Sequence, residues 1–359
     1  MKISIVLGTR PEIIKFSPII RECERLGLDY SILHTGQHYS YNMDKVFFEQ
    51  LELPEASHNL DVGSGTHAEQ TGKMLIGIER VLREEKPDVV LVEGDTNTVL
   101  AGALAAAKLG IKVGHVEAGL RSYDREMPEE TNRVLADHCS DFLFAPTAKS
   151  KQILLGEGID ANAVFVTGNT VVDAVYQNLE ISKRKLDVGD RLGVGNGGYS
   201  LATVHRQENV DNETKFRGIL KGLEMVQEQF GFPVVYPIHP RARKQLATFN
   251  LEANGIKVVD ALDYLSFLQL ESNAKLVLTD SGGVQEEACI LRVPCVTLRY
   301  NTERPETLEV GANTLAGTDP KEIVKNANHM LARDRDWENP FGDGKAGEKI
   351  VRILREKLA

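Results

Sequence analysis

Lys275-Leu276-Val277-Leu278-Thr279-Asp280-Ser281-Gly282-Gly283-Val284-Gln285-Glu286-Glu287 changes character halfway along. Its first five residues are an apolar run that reads as a buried parallel strand, and Gln285 onward carries a helix pattern. A strand that turns on Ser-Gly-Gly into a helix presents free backbone N–H groups at a positive dipole end, a seat for phosphate. Glycine lets the backbone come close to an anion, and the Ser281 hydroxyl adds a donor. Glu287, about one turn further on, suits a ribose, whose hydroxyls donate to a carboxylate. A turn capped by Asp or Ser has the same composition, so the motif needs support from the rest of the chain.

That support begins with alternation. Apolar strands are predicted over 3–7, 30–34, 88–93, 112–117, 141–145 and 164–167, with helical spacing over 11–25, 42–50, 70–86, 98–109, 129–139, 147–157 and 171–185. A glycine cluster, Gly189 to Gly198, reads as a loose surface loop. The pattern then restarts, with strands over 200–204, 234–237, 256–259, 276–279 and 295–298. Two doubly wound parallel sheets are expected: a Rossmann-like domain over 1–167, completed by a C-terminal helix over about 345–359, and a second over 168–344. Sheets of this kind bind ligands beyond the carboxyl ends of their strands.

At 359 residues the chain exceeds what one core usually serves. Its 52 acidic and 42 basic residues argue against a nucleic-acid or anionic-membrane surface, and no apolar run has the roughly 20 residues of a membrane span. Met1 to Gly8 reads as the first strand rather than a leader. Cys23, Cys139, Cys289 and Cys295 show no CxxC pairing, as expected of reduced thiols in a cytoplasmic protein. The nine histidines show no metal-ligand spacing, and no metal or other cofactor is expected.

The polar residues of interest stand at predicted strand ends. Gly8-Thr9-Arg10-Pro11-Glu12-Ile13-Ile14-Lys15 follows the first strand; it is neither a dinucleotide loop nor a P-loop, yet Arg10 and Lys15 can both reach an anion. Asp95 follows the strand over 88–93, Glu117 ends the strand over 112–117, and Glu129 opens a helix behind Pro128. Asp95 also suits a helix cap and Glu129 the helix dipole. Three converging acids suit one acid–base site, where burial and repulsion spread proton affinities. In the second half His205-Arg206 and Arg304 suit a diphosphate, and equally suit a surface His-Arg pair or an ion pair with Glu303 or Glu306.

Taken in order, Gly8 to Lys15, Gly94-Asp-Thr-Asn-Thr98, His115-Val-Glu-Ala-Gly-Leu-Arg121, Pro128-Glu-Glu-Thr-Asn-Arg133, His205-Arg-Gln-Glu-Asn209, Asp280 to Glu287 and Thr302-Glu-Arg-Pro-Glu306 resemble the non-hydrolysing UDP-N-acetylglucosamine 2-epimerases. The resemblance implies a glycosyltransferase-B-like fold, two Rossmann-like domains facing across a cleft that holds the active site. It implies interconversion of UDP-N-acetylglucosamine and UDP-N-acetylmannosamine through anti elimination of UDP, a bound 2-acetamidoglucal and re-addition. By motif it makes Asp95, Glu117 and Glu129 the acid–base candidates and His205 a diphosphate contact. Arg10, Lys15, Ser281, Gly282, Gly283 and Arg304 become UDP contacts, Glu287 the ribose acceptor and Phe267 the uracil platform. It also implies a homodimer with no nucleic-acid or membrane partner, supplying a polysaccharide or glycan precursor. Many bacterial members carry a polar pattern after Gln-His for a second, activating substrate molecule; here Gln37-His38 is followed by Tyr39-Ser40-Tyr41.

Three other functions fit parts of the pattern: a UDP-sugar glycosyltransferase of the same fold, a hydrolysing epimerase that releases UDP and N-acetylmannosamine, and a nucleotide-sugar sensor. The three first-half carboxylates favour elimination chemistry, which needs them, over transfer or sensing.

Overall fold

The computed structural model describes residues 1–37, 41–185, 187–195 and 198–359, with the side chains of 41–43 left aside. His38, Tyr39 and Ser40, on which the reading of a second substrate site rests, lie outside the described residues, as do Asn196 and Gly197 of the glycine cluster. The chain divides into two compact units, one of residues 1–177 and 341–359, the other of 178–340.

The first unit is built on seven strands: β1 (Lys2–Leu7), β2 (Asp29–His34), β3 (His58–Asn59), β4 (Val89–Glu93), β5 (Lys112–Val116), β6 (Phe142–Ala145) and β7 (Val164–Val166). All pair in parallel in the order β3-β2-β1-β4-β5-β6-β7. Strands such as β4, Val-Val-Leu-Val-Glu, are buried along their whole length, which is why they read as continuous apolar runs rather than alternating ones. The alanine-rich helix Asn97–Lys108 packs its small residues close against β4, and Val6, Val90, Val92, Ala101, Ala105 and Met74 share one core.

The second unit repeats the plan with β8 (Ser200–Thr203), β9 (Val234–Pro237), β10 (Lys257–Val259), β11 (Leu276–Thr279), β12 (Cys295–Thr297) and β13 (Asn313–Leu315). The order is β10-β9-β8-β11-β12-β13, again parallel. Counted from its own first strand this is the order of the first sheet, so each unit has one switch point where consecutive connections diverge: β1/β4 in the first, β8/β11 in the second.

Two strands escape the sequence pattern. β3 has two residues and β13 three, too few to show a periodicity. The unit boundaries also differ from those expected: they fall at 177/178 and 340/341, not 167/168 and 344/345. The first lies inside the helix Thr170–Lys185, which continues through it unbroken and offers no breaker residue to read. The C-terminal helix Ala346–Lys357 packs on the helix Arg10–Leu26, where Gly347 lets the backbones meet; a Cβ there would stand 3.0 Å from Pro18. The glycine-rich stretch is less loose than its composition suggests, since Val188 is buried and its N–H donates to Gln269 Oε1 at 2.8 Å. Among the described residues, no helix is long and apolar enough to cross a membrane.

Candidate active site

In the first unit the polar groups gather at the β1/β4 switch point and the neighbouring end of β5. β1 turns through Gly8-Thr9 into the helix Arg10–Leu26, and the buried Glu12 closes that turn. Its Oε2 accepts the Gly8 N–H at 2.5 Å and the Thr9 N–H at 2.9 Å, while its Oε1 accepts the hydroxyl of Thr96 beyond β4. One carboxylate thereby ties together the turns after β1 and β4. Burial pushes Glu12 up, against these donors. A Thr-x-x-Glu capping box at a helix start is a readable signal for such a residue.

Glu117 follows β5 at φ +68°, a left-handed conformation uncommon outside glycine and asparagine. The turn aims its carboxylate at Lys15, whose Nζ donates to Glu117 Oε2 at 2.5 Å, and Asn169 Nδ2 donates to the same oxygen at 3.2 Å. Lys15 also stands 3.1 Å from Glu93 Oε1 at the end of β4. Burial raises Glu93 well above the usual carboxylate range; Lys15 opposes this, and Glu117 and Glu12 push the same way as burial. The Lys15 ammonium thus bridges two carboxyls, with Glu117 the nearer. Glu93 is a member of this cluster that the sequence pattern does not single out.

Asp95 pairs with Arg133, whose Nη1 reaches Glu130 at 3.0 Å. Glu130 ties its helix to the loop ahead of it. It accepts the Ser122 N–H at 2.9 Å, the Ser122 hydroxyl at 2.8 Å and the Tyr123 N–H at 3.0 Å, and these donors with Arg133 outweigh burial and lower it. Glu129 is partly exposed in the first turn of the helix Pro128–Cys139, with no hydrogen bond or ion pair among the described residues. Arg10 turns to Asp44, its Nε 3.2 Å from Oδ1, with its guanidinium 6.0 Å from the Phe47 ring centroid.

The second unit places its candidates at its own switch point. Asp280, fully buried after β11, accepts the N–H groups of His205 at 3.1 Å and Arg206 at 3.0 Å and the Asn209 amide at 3.1 Å, while His205 Nδ1 lies 3.1 Å from its Oδ1. His205 is thus held by backbone and ring from one carboxylate. Burial opposes the charge on Asp280, but the His205 ring and these donors win and lower it. Its contribution to stability is present above about pH 4 and is lost as pH falls through the depressed folded value. Asp280→Ala is expected to cost about 3–5 kcal/mol at neutral pH by urea denaturation, with a deficit that shrinks in acid.

Ser281 precedes the helix Gly282–Ile290, and its hydroxyl makes no capping bond, so it and the first helical N–H groups can serve an anion. His205, Ser281 and Phe267 line one cavity of about 220 Å³ with Thr203, His239 and Val284. Phe267 also packs on the core beside Leu262 and Val284. Among the described residues the ion pair of Arg304 is with Glu286, its Nε 2.9 Å from Oε1, while Glu303 pairs with Arg299 at 2.8 Å. Glu287, half-buried, lies above Glu271, which is fully buried. Burial drives both up, Glu287 to about 7. The two carboxyls titrate as a coupled pair that burial biases towards holding a proton.

Residues 21–355 match a family model described as UDP-N-acetylglucosamine 2-epimerase. The chain is 58% identical over 361 residues to the UDP-N-acetylglucosamine 2-epimerase of Methanocaldococcus jannaschii, covering 99% of each. It is 54% identical over 360 residues to that of Methanococcus maripaludis, covering 98% of each. The solved structure of the Methanocaldococcus jannaschii enzyme in complex with UDP-GlcNAc and UDP superposes with a TM-score of 0.86 at 58% identity, covering 99% of this chain and 100% of that one. The architecture of two parallel-sheet α/β units is accordingly glycosyltransferase-B-like, as expected.

Proposed function

Because the chain belongs to the UDP-N-acetylglucosamine 2-epimerase family, and so is an enzyme, we propose that it interconverts UDP-N-acetylglucosamine and UDP-N-acetylmannosamine without net hydrolysis. The observation that carries this reading is the division of chemistry between switch points: carboxylates with one lysine in the first unit, an anion seat with a held histidine in the second.

The C2 hydrogen of the sugar is not adjacent to a carbonyl, so a carboxylate alone is too weak a base to remove it. Cleavage of the C1–oxygen bond has to lead. Its electron pair leaves with UDP, and the departing diphosphate is stabilised by the Ser281-Gly282-Gly283 turn, His205 and Arg304. The C2–H electron pair then closes the C1–C2 double bond of 2-acetamidoglucal, and the proton passes to a carboxylate. Return of the proton to the other face of C2, and of the diphosphate oxygen to C1, completes the inversion. Two faces require two titratable groups, which Asp95, Glu117 and Glu129 supply. Glu287 accepts from the ribose hydroxyls, Phe267 stacks on uracil, and Arg10 and Lys15 contact the UDP moiety. The enzyme works as a cytoplasmic homodimer, a reading supported by its free cysteines, of which Cys23, Cys289 and Cys295 are buried, for the compartment and by family habit for the dimer; its product feeds polysaccharide or glycan assembly.

Products separate this function from its relatives. At equilibrium the purified protein is expected to give both UDP-sugars with no accumulation of free N-acetylmannosamine. Stoichiometric free sugar would instead mean a hydrolysing epimerase, and sugar transfer to an added acceptor without epimer would mean a glycosyltransferase.

A further inference from the structure

Beneath the acid cluster lies a second group of charges that the proposed chemistry leaves unused. His115, in the middle of β5, is fully buried. Its Nδ1 lies 2.6 Å from Asp137 Oδ1 and its Nε2 lies 2.8 Å from the carbonyl oxygen of Gly94. The other oxygen of Asp137 accepts from Arg121 Nη1 at 2.7 Å and from the Gly119 N–H at 3.2 Å. Arg121 is in turn gripped by Glu157, its Nε at 2.9 Å and Nη2 at 2.6 Å. A backbone carbonyl cannot donate, so Nε2 carries a proton, and Asp137, which His115 and Arg121 hold in its ionised form against burial, can only accept from Nδ1. Both ring nitrogens of His115 must therefore carry protons, and the four charges of His115, Asp137, Arg121 and Glu157 cancel.

We propose that His115, Asp137 and Arg121 form a buried ionic clamp that positions the backbone carrying Asp95, Glu117 and Glu129. Each arm ends beside one of these acids. The carbonyl of Gly94 precedes Asp95. The N–H of Gly119 follows Glu117 by two residues and pins the turn in which Glu117 keeps its left-handed conformation, one that persists only where the surroundings over-determine it. Asp137 rides on the helix that Glu129 opens. Burial alone would lower His115, but the charge and hydrogen bond of Asp137, the Gly94 carbonyl and the nearby Glu117 outweigh it and raise the ring. The two ring contacts call for the charged form, and the clamp loosens as pH rises through the raised value. His115 is a positioning residue, since no arm reaches the substrate except through another group.

The role rests on the proposed proton transfers by the three acids, and two readouts separate it from them. Nitrogen-15 NMR of the full-length protein is expected to show both His115 nitrogens protonated at neutral pH, with the ring titrating above the ordinary value of ~6.5. That result does not depend on activity, so it stands even if the parent protein proves not to be an epimerase. His115→Gln is expected to lower kcat on the order of 100-fold, while the UDP dissociation constant changes less than about threefold. Should His115→Gln fail to fold, Asp137→Asn serves as the second variant, in which the His115 ring is expected to titrate lower than in the parent. A single ring proton on His115 at neutral pH would overturn the clamp. So would turnover of His115→Gln within about threefold of the parent, or an equal loss of kcat and UDP affinity.

Discussion

Glu117→Gln is expected to lower epimerisation on the order of 10²–10⁴-fold, with UDP affinity nearly unchanged. The substitution is almost isosteric and keeps an oxygen for Lys15 and Asn169, which donate to it at 2.5 and 3.2 Å. It removes the ability to take up a proton. It also removes the negative charge facing Lys15, leaving that cation with Glu93, which burial favours in its neutral form. The loss should therefore appear in kcat and in exchange at C2 rather than in KM. If Glu117 only held Lys15 in place, the variant would keep most of its turnover. Steady-state rates alongside calorimetric UDP binding separate the two cases.

His205→Ala is expected to lower kcat on the order of 10²–10³-fold, the usual effect of removing one donor aimed at developing negative charge. Asp280 holds both the backbone N–H and the ring Nδ1 of His205, so the ring is preorganised for a diphosphate in the cavity it lines with Ser281 and Phe267. Since the Asp280 bonds to the N–H groups of residues 205 and 206 involve backbone, they survive the substitution, and stability should fall far less than in Asp280→Ala. A His205→Ala enzyme with intact melting behaviour and unaltered kcat would remove His205 from the reaction.

How much of this was legible in the sequence follows from physical range. The β11 turn into Ser281-Gly282-Gly283 could be read because strand, turn and helix signals lie within thirteen consecutive residues. Asp95, Glu117 and Glu129 could be singled out because an acid leaving an apolar strand, or following a proline, is a local anomaly. Glu93 was passed over because it reads as the last residue of its strand; its importance comes from meeting Glu12, Glu117 and Lys15, which arrive from other elements. His115 sits inside an apolar strand, and its partner Asp137 is 22 residues away, with no motif joining them. Glu271 is hidden in a helix until the tertiary fold sets it under Glu287. The actual partners of Arg10 and Arg304, Asp44 and Glu286, are likewise side-chain pairings that no spacing rule picks out.

Reversible cleavage at C1 with proton transfer at C2 is tested most directly by incubating the purified protein with UDP-N-acetylglucosamine in D2O, without added metal or nicotinamide cofactor, and following C2 by NMR. Deuterium at C2 of both the gluco and manno epimers, with UDP still attached at equilibrium, is the predicted result. Formation of the manno epimer with its C2 hydrogen retained would contradict it.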